Sequence, residues 1–290
     1  MAGVAVVTDT THYLPPEVVR RHDIHEVSLY VNWDGRTDRE SDLTDLDAFY
    51  DAMRSAAELP STSQPSVGDF LAVFEPLAER GDDILSIHLS GAISGTVRAA
   101  EQARDALLER GVAPGRIAVL DSETGCAGHG LMAVAAANAV TAGGGLAQAE
   151  QAARALGREM RLLFAVETLE YLRRGGRIGA AQAWVGSALK IKPILSIDRE
   201  IVPVERVRTS RRAFERMVDL LQERRDQGAD VFFVQHVQAH EVADRIVERG
   251  REIYGRDPEF VSEIGPVIGA HVGPGLFGVT GLRSVLLGPV

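Results

Sequence analysis

Cysteine is nearly absent: Cys126 is the only one in 290 residues, which excludes an internal disulfide framework and a cysteine-rich metal site. No apolar run approaches the roughly 20 residues that a membrane span requires. No basic cluster precedes the first apolar residues of MAGVAVVTDTTHYLPPEVV, so this stretch reads as a first strand and not as a secretory signal, and a cytoplasmic location is expected. Positive charge is also scarce, with 31 Lys and Arg against 41 Asp and Glu and a formal net charge of −10. Nucleic acid is therefore not expected as a partner, because counterion release needs clustered cations. What remains is ordinary for a globular chain: 45% hydrophobic and 25% charged residues, in a length that suits one large or two smaller α/β domains.

The most informative stretch is SGAISGTVRAA, Ser90 to Ala100, which joins an apolar run, Ile84 to Leu89, to a helical pattern. Ser94, Gly95 and Thr96 fall where the first turn of a helix has unpaired backbone N–H groups, and small hydroxyl-bearing residues let an anion approach them. The loop has neither the lysine of GxxxxGK[ST] nor a GxGxxG pattern, and its nearest basic residue is Arg98. A single carboxylate or one phosphate fits it better than a nucleotide. A strand-to-helix turn capped by Ser or Thr is the alternative that the same residues allow.

Further loops punctuate the chain. Gly3 to Val7 reads as a strand ending in Thr8-Asp9-Thr10-Thr11, at the kind of strand end where open α/β sheets present functional groups; Asp9 itself fits a turn-fixing carboxylate. Ile24 to Val31 reads as a second strand, Asp34-Gly35 as a turn, and the acid-rich Asp38 to Asp51 as a solvated surface, with Thr44 and Asp47 as a box-like start to a helix through Met53. In Pro60-Ser61-Thr62-Ser63-Gln64-Pro65-Ser66, Ser66 precedes Asp69 by three residues and is expected to cap a helix, leaving Thr62 and Ser63 for a ligand or for their own turn. Small residues from Gly125 to Gly130 lead into an alanine-rich helix, Leu131 to Ala142. From about residue 160 the character changes, to Tyr171-Leu172-Arg173-Arg174-Gly175-Gly176-Arg177-Ile178, a hairpin around Asp198-Arg199, and the charge run Arg206, Arg208, Arg211 and Arg212, which reads as a solvated helix face. Finally, His271 sits among glycines and prolines in Gly265 to Gly275, where an imidazole could donate to an oxyanion. The division expected is 1–160 and 161–290.

The loops TDTT at Thr8, TSQPS at Thr62, LSGAISGT at Leu89 and IGAHVGPG at Ile268, with YLRRGGRI between them, together resemble the DegV family of bacterial fatty-acid-binding proteins along essentially the whole chain. The resemblance implies two α/β domains, the N-terminal one with a parallel sheet. It further implies one long-chain fatty acid, its tail in an apolar tunnel and its carboxylate in the cleft between the domains. Thr62, Ser63, Ser94, Gly95, Thr96 and His271 would surround the carboxylate. A separate fatty acid kinase would be the partner, forming an acyl phosphate, with Arg173, Arg174, Arg177 and Arg206 facing it or its phosphate. No cofactor other than the bound lipid is implied, and transient contact with a membrane surface is compatible with such a carrier. Val97 stands where the family often has an aromatic residue.

Other chemistries have less support. A serine hydrolase acting on a lipid ester would need Ser94, His271 and Asp9 or Asp121 as a triad, yet Gly91-Ala92-Ile93-Ser94-Gly95 misses the G-x-S-x-G elbow by one residue. His236 and His240 are four apart but lack the glutamate of HExxH, so no metal is expected. Cys126, near His129, reads as a packed small hydrophobe rather than a catalytic thiol.

Overall fold

The computed structural model describes residues 3–185 and 191–288 and is a mixed α/β structure of two compact units. One unit comprises Ser63–Glu159 together with the chain up to Tyr30 and from Val285 onward; the other comprises Val31–Thr62 and Met160–Ser284. The division is thus not the single cut near residue 160 that composition suggested. Residues 31–62 belong with the later part of the chain. Among the described residues, no helix is long and apolar enough to cross a membrane.

The first unit is built on a four-stranded sheet in the order Ile24–Val27, Val4–Asp9, Asp83–His88, Ile117–Asp121, all pairs parallel. The two central strands, VAVVTD and DILSIH, are buried at every position after the first, as expected where helices cover both faces of a parallel sheet. Val67–Glu79 and Thr96–Glu109 contribute Phe70, Phe74, Ala100, Ala103 and Leu107 to a core shared with Val7 and Ile84. Ala127–Thr141 is buried from Ala127 through Asn138, which explains a sequence that is apolar on every side. It starts four residues before the expected Leu131. In the parallel register Asp9 lies beside Val27, and His88 beside Asp121. The loops that follow those strands therefore emerge from one edge of the sheet.

The second unit has a six-stranded sheet in the order Glu200–Val207, Lys192–Asp198, Leu163–Ala165, Phe277–Leu282, Val231–His236, Phe260–Glu263. Its pairs are antiparallel except the last, Val231–His236 with Phe260–Glu263. The expected hairpin around Asp198-Arg199 is present, with a bulge between Pro203 and Glu205 on the edge strand, where a proline costs no ladder bond. Ser210–Asp226 and His240–Tyr254 pack Met217, Leu221, Ile246 and Tyr254 onto Phe232 and Val234.

Residues 24–31 do not form one strand. Ile24–Val27 joins the parallel sheet, whereas Tyr30–Trp33 pairs into a small sheet with Arg36–Arg39 and Ser61–Ser63. Asp34 (φ 50°) and Gly35 (φ 74°) make the two-residue turn that the Asp-Gly pair signals. The helix Leu46–Ser55 is capped by Asp45, which accepts the Ala48 N–H at 3.0 Å, and not by Thr44. The acid-rich stretch is also not wholly solvated: Glu40 is buried, and its Oε1 accepts the Val267 N–H at 2.8 Å.

That bond belongs to a set that seats Pro266–Val272, a short helix in the Gly265 to Gly275 segment read as a loop. The fully buried Tyr50 places its hydroxyl 2.7 Å from the Ile264 carbonyl and 2.9 Å from that of Gly265, one proton shared between two acceptors. Its ring occupies the space a Cβ on Gly269 would need. Replacing Tyr50 by Phe keeps the ring but leaves those carbonyls without their donor. We expect Tyr50→Phe to lose about 1–3 kcal/mol, read as a lower urea midpoint with an unchanged slope; a midpoint equal to wild type would show that the hydroxyl contributes nothing to the seat.

Candidate functional site

His271 lies in the last turn of that helix, and Gly273 (φ 76°) ends it. Its Nε2 is 2.7 Å from Thr62 Oγ1, so the structure joins the TSQPS run to the IGAHVGPG run. Its Nδ1 is buried and has no hydrogen-bond partner among the described residues. The ring fills the place of a Cβ on Gly175, in the YLRRGGRI loop, and Tyr171 of the same loop fills that of a Cβ on Gly273. Both glycines are required by close approach. Burial, with a smaller contribution from the positive charge of Arg177, pushes the His271 pKa down to about 4. The imidazole is therefore neutral at neutral pH. If Nε2–H donates to Thr62, the threonine proton is left to donate elsewhere; if Thr62 donates to Nε2, Nδ1 carries the proton. Either tautomer leaves one donor without an acceptor within the pair.

In the first unit, Gly95 is the N-cap of Thr96–Glu109 and gives that helix no side-chain cap. Ser94 Oγ and Thr96 Oγ1 are 2.9 Å apart, Thr96 fully buried and Ser94 half-buried. The tip of Gln64 occupies the position of a Cβ on Gly95, which brings the loop after Ser63 onto the Ser94–Thr96 turn. Ser63 itself is exposed at the end of the Ser61–Ser63 strand. Ser66 makes the expected capping box with Asp69, and its hydroxyl is committed there.

At the same strand edge Asp9 is fully buried, and its carboxylate is saturated. Oδ1 accepts from the Thr11 N–H (3.1 Å) and hydroxyl (2.5 Å), and Oδ2 accepts from His88 Nδ1 (3.0 Å) and the Leu89 N–H (3.1 Å). Burial on its own would raise the Asp9 pKa, but the electrostatic influence of nearby His129, with lesser contributions from the hydrogen-bonded His88, holds it well below the usual carboxylate range. His129 Nε2 is 3.5 Å from Oδ1, and Ser86 Oγ is 2.6 Å from the other nitrogen of His88. Asp9 therefore fixes its loop, as its position after the strand suggested. Asp121 does the same, with Oδ1 accepting from Gly91 (3.1 Å) and Glu123 (2.8 Å). Both carboxylates are committed to backbone turns, and the position on His271 where a triad's acid would bond is empty among the described residues. The arrangement gives the hydrolase reading no support. Cys126 is buried at the start of its helix, in keeping with a packed side chain.

The arginines sit in different surroundings. Arg173 and Arg174 both bond Glu170, at 2.7 and 2.6 Å, and these bonds hold the Glu170 carboxyl down to about 2. Arg177 donates to the Gly175 carbonyl at 2.7 Å and lies near enough to His271 to influence it. Arg206, on the edge strand, places its guanidinium 5.3 Å from the Trp184 ring centre. From the run after it, Arg208 and Arg212 line an open groove of about 410 Å³ together with Arg216, Glu205, Glu215 and Asp219. That balance suits a solvated face more than a dedicated phosphate site.

Several contributors were not legible individually. Gly265-Pro266 followed by Gly273 carries the proline-first, glycine-after signature of a short helix, which would have found Pro266–Val272. Nothing in the sequence marks Tyr50, Glu40 or Gln64. Because His271 is held below its ordinary 6.5 when folded, the unfolded chain takes up that proton first. Its stabilising effect is complete above about pH 6.5 and is lost as pH falls toward about 4, by up to about 3 kcal/mol. We expect His271→Gln to flatten the loss of stability between about pH 7 and about pH 4.5, measured by urea unfolding at each pH; a slope equal to wild type would show that the imidazole is not held neutral.

Comparison with known proteins agrees with this frame. The family model for uncharacterised proteins of the DegV family matches residues 3–283. Protein DegV of Bacillus subtilis (strain 168) is 37% identical over 282 residues, covering 96% of this chain and 98% of the relative. DegV domain-containing protein SCO2569 of Streptomyces coelicolor is 38% identical over 279 residues, covering 95% and 97%. Among solved structures, that of DegV, a fatty acid binding protein from Bacillus subtilis, superposes with a TM-score of 0.88 at 36% identity, covering 98% of this chain and 100% of the other. A fatty-acid-binding DegV family protein from Thermus thermophilus gives 0.87 at 31% identity, covering 97% and 99%. With the family model matched over residues 3–283 and a relative 37% identical over 96% of the chain, the protein belongs to the DegV family.

Proposed function

We propose that this chain binds one long-chain fatty acid and presents its carboxylate to a separate kinase. The observation that carries the reading is the Thr62–His271 pair, a neutral imidazole whose second nitrogen is buried without a partner. A carboxylate oxygen is an acceptor suited to the donor that this pair keeps in reserve. Thr62, Ser63 and His271, with the hydroxyls of Ser94 and Thr96 and the uncapped N–H groups beyond Gly95, are the headgroup ligands in this reading. Related structures at 31% and 36% identity are those of fatty-acid-binding proteins, which supports the same ligand class here. Each hydrogen bond to a charged carboxylate contributes about 1.5–3 kcal/mol. Burying ~14 methylenes at ~0.8 kcal/mol each amounts to roughly 11 kcal/mol before ordering and association costs. The tail supplies affinity and the polar set supplies orientation.

In this reading the chain performs no bond chemistry. The bound carboxylate attacks the γ-phosphoryl group of ATP held by the kinase, giving acyl phosphate and ADP. Arg173, Arg174, Arg177 and Arg206 are exposed side chains proposed to face the kinase or the phosphoryl group. Glu170 already offsets part of the charge of Arg173 and Arg174.

Organic extraction and mass spectrometry of the purified protein should yield a stoichiometric fatty acid; protein that is lipid-free and also rejects added palmitate and oleate would refute the binding. Arg174→Glu should slow kinase-dependent acyl phosphate formation at least about tenfold, roughly the loss of one charge-assisted contact, while leaving lipid affinity within about twofold. Equal losses in both assays would place Arg174 in the lipid site or the fold and not on the kinase-facing surface.

A further inference from the structure

The structure supplies a carboxylate that the His236/His240 spacing lacks in sequence. His236 ends the Val231–His236 strand and His240 opens the His240–Tyr254 helix. The connector turns sharply at Gln238 (φ 49°), which brings the two rings edge to face with centres 4.6 Å apart. Glu263 ends the neighbouring parallel strand and is the register partner of His236. One ligand atom from each of the three side chains lies within 4.8 Å of the other two. We propose that His236, His240 and Glu263 form a binding site for a divalent transition-metal ion of the Zn2+ class.

The spacing of the three groups suits an ion. His240 Nε2 and Glu263 Oε1 are 3.9 Å apart, too far for a hydrogen bond. Two ligands each about 2.0–2.2 Å from a tetrahedral zinc stand roughly 3.4 Å from one another. The observed spacing therefore needs only a modest inward rotation, and His240, at 60% side-chain exposure, has solvent beside it in which to make that movement. His236 is buried, and its Nδ1 accepts the Ala239 N–H at 3.5 Å, which holds the ring in place and leaves Nε2 to the ion. Glu263 is anchored as well: its Oε1 accepts the Gln238 N–H (3.0 Å) and side-chain amide (2.8 Å), the kind of outer-shell bonding that orients ligating carboxylates. Gln238 is in turn held by Asp47 Oδ1 at 2.8 Å and by Arg54 at 3.3 Å. Two imidazoles and one carboxylate are the borderline donors that zinc selects, and three protein ligands leave a fourth position for water.

The test uses untagged protein, freed of metal with a chelator and dialysed, then titrated with ZnCl2 by calorimetry and with Co2+ by visible absorption. Wild-type protein should bind one equivalent of Zn2+ and give the intense ligand-field bands of four-coordinate Co2+. His240→Ala and Glu263→Gln should each weaken Zn2+ at least about tenfold and abolish those bands. His22→Ala, a histidine in the other unit, should change neither. No saturation below about 1 mM Zn2+, or a site that survives both substitutions unchanged, would overturn the proposal. Because the readout is metal and not lipid, its failure leaves the fatty-acid reading untouched, and failure of that reading leaves the metal site standing.

Discussion

The second unit depends on how a seven-residue helix is held. Pro266–Val272 is too short to be stable by itself, since nucleating a helix costs more than its few internal hydrogen bonds return. It persists because residues 31–62 grip it. Glu40 takes the Val267 N–H, Tyr50 donates to the carbonyls at its entry, and Thr62 bonds the imidazole at its far end. This explains why a segment from the first quarter of the chain belongs to a unit otherwise made from residues 160–284. It also explains the glycines, because Gly269 admits Tyr50 and Gly175 admits His271, and any larger residue would displace a side chain that the seat requires.

Polar burial follows a different plan around Asp9 in the first unit. There the parallel sheet brings several strand ends to one edge, and a saturated carboxylate, Asp9, ties two of the loops together through Thr11, His88 and Leu89. With both oxygens committed to hydrogen bonds and its pKa held well below the usual carboxylate range, Asp9 is a structural anion. The contrast with His271 is informative. One buried ionisable group is fully paired, whereas the other is neutral and keeps an unpaired nitrogen. Groups of the first kind hold a fold together; a group of the second kind is where a ligand's acceptor can enter.

The arginines show that composition and placement are separate questions. A row of basic residues in an acidic chain suggests an anion site, yet Arg173 and Arg174 share Glu170, and the groove near Arg208 and Arg212 holds as many acids as bases. Local neutralisation of this kind weakens long-range attraction and leaves short-range, directional contacts. Arg177 differs, because its charge reaches His271 and so links the GGR loop to the Thr62–His271 pair.

By itself the sequence determined what local patterns can encode. The apolar runs at Val4, Ile84 and Ile117, the capping box at Ser66, the Asp34-Gly35 turn and the hairpin around Asp198-Arg199 all lie within a few residues of the groups that cause them. It also marked Thr62, Ser94 and His271, through loops whose small hydroxyl-bearing and glycine residues have little packing to do. Only the tertiary structure decided which of these meet. That residues 31–62 join the second unit, that Glu40 is buried beneath Val267, that Thr62 bonds a residue 209 positions away, and that Glu263 completes the pair His236 and His240 are all long-range facts. The physical reason is that such partners are selected by strand order and close packing, which no window of neighbouring residues records.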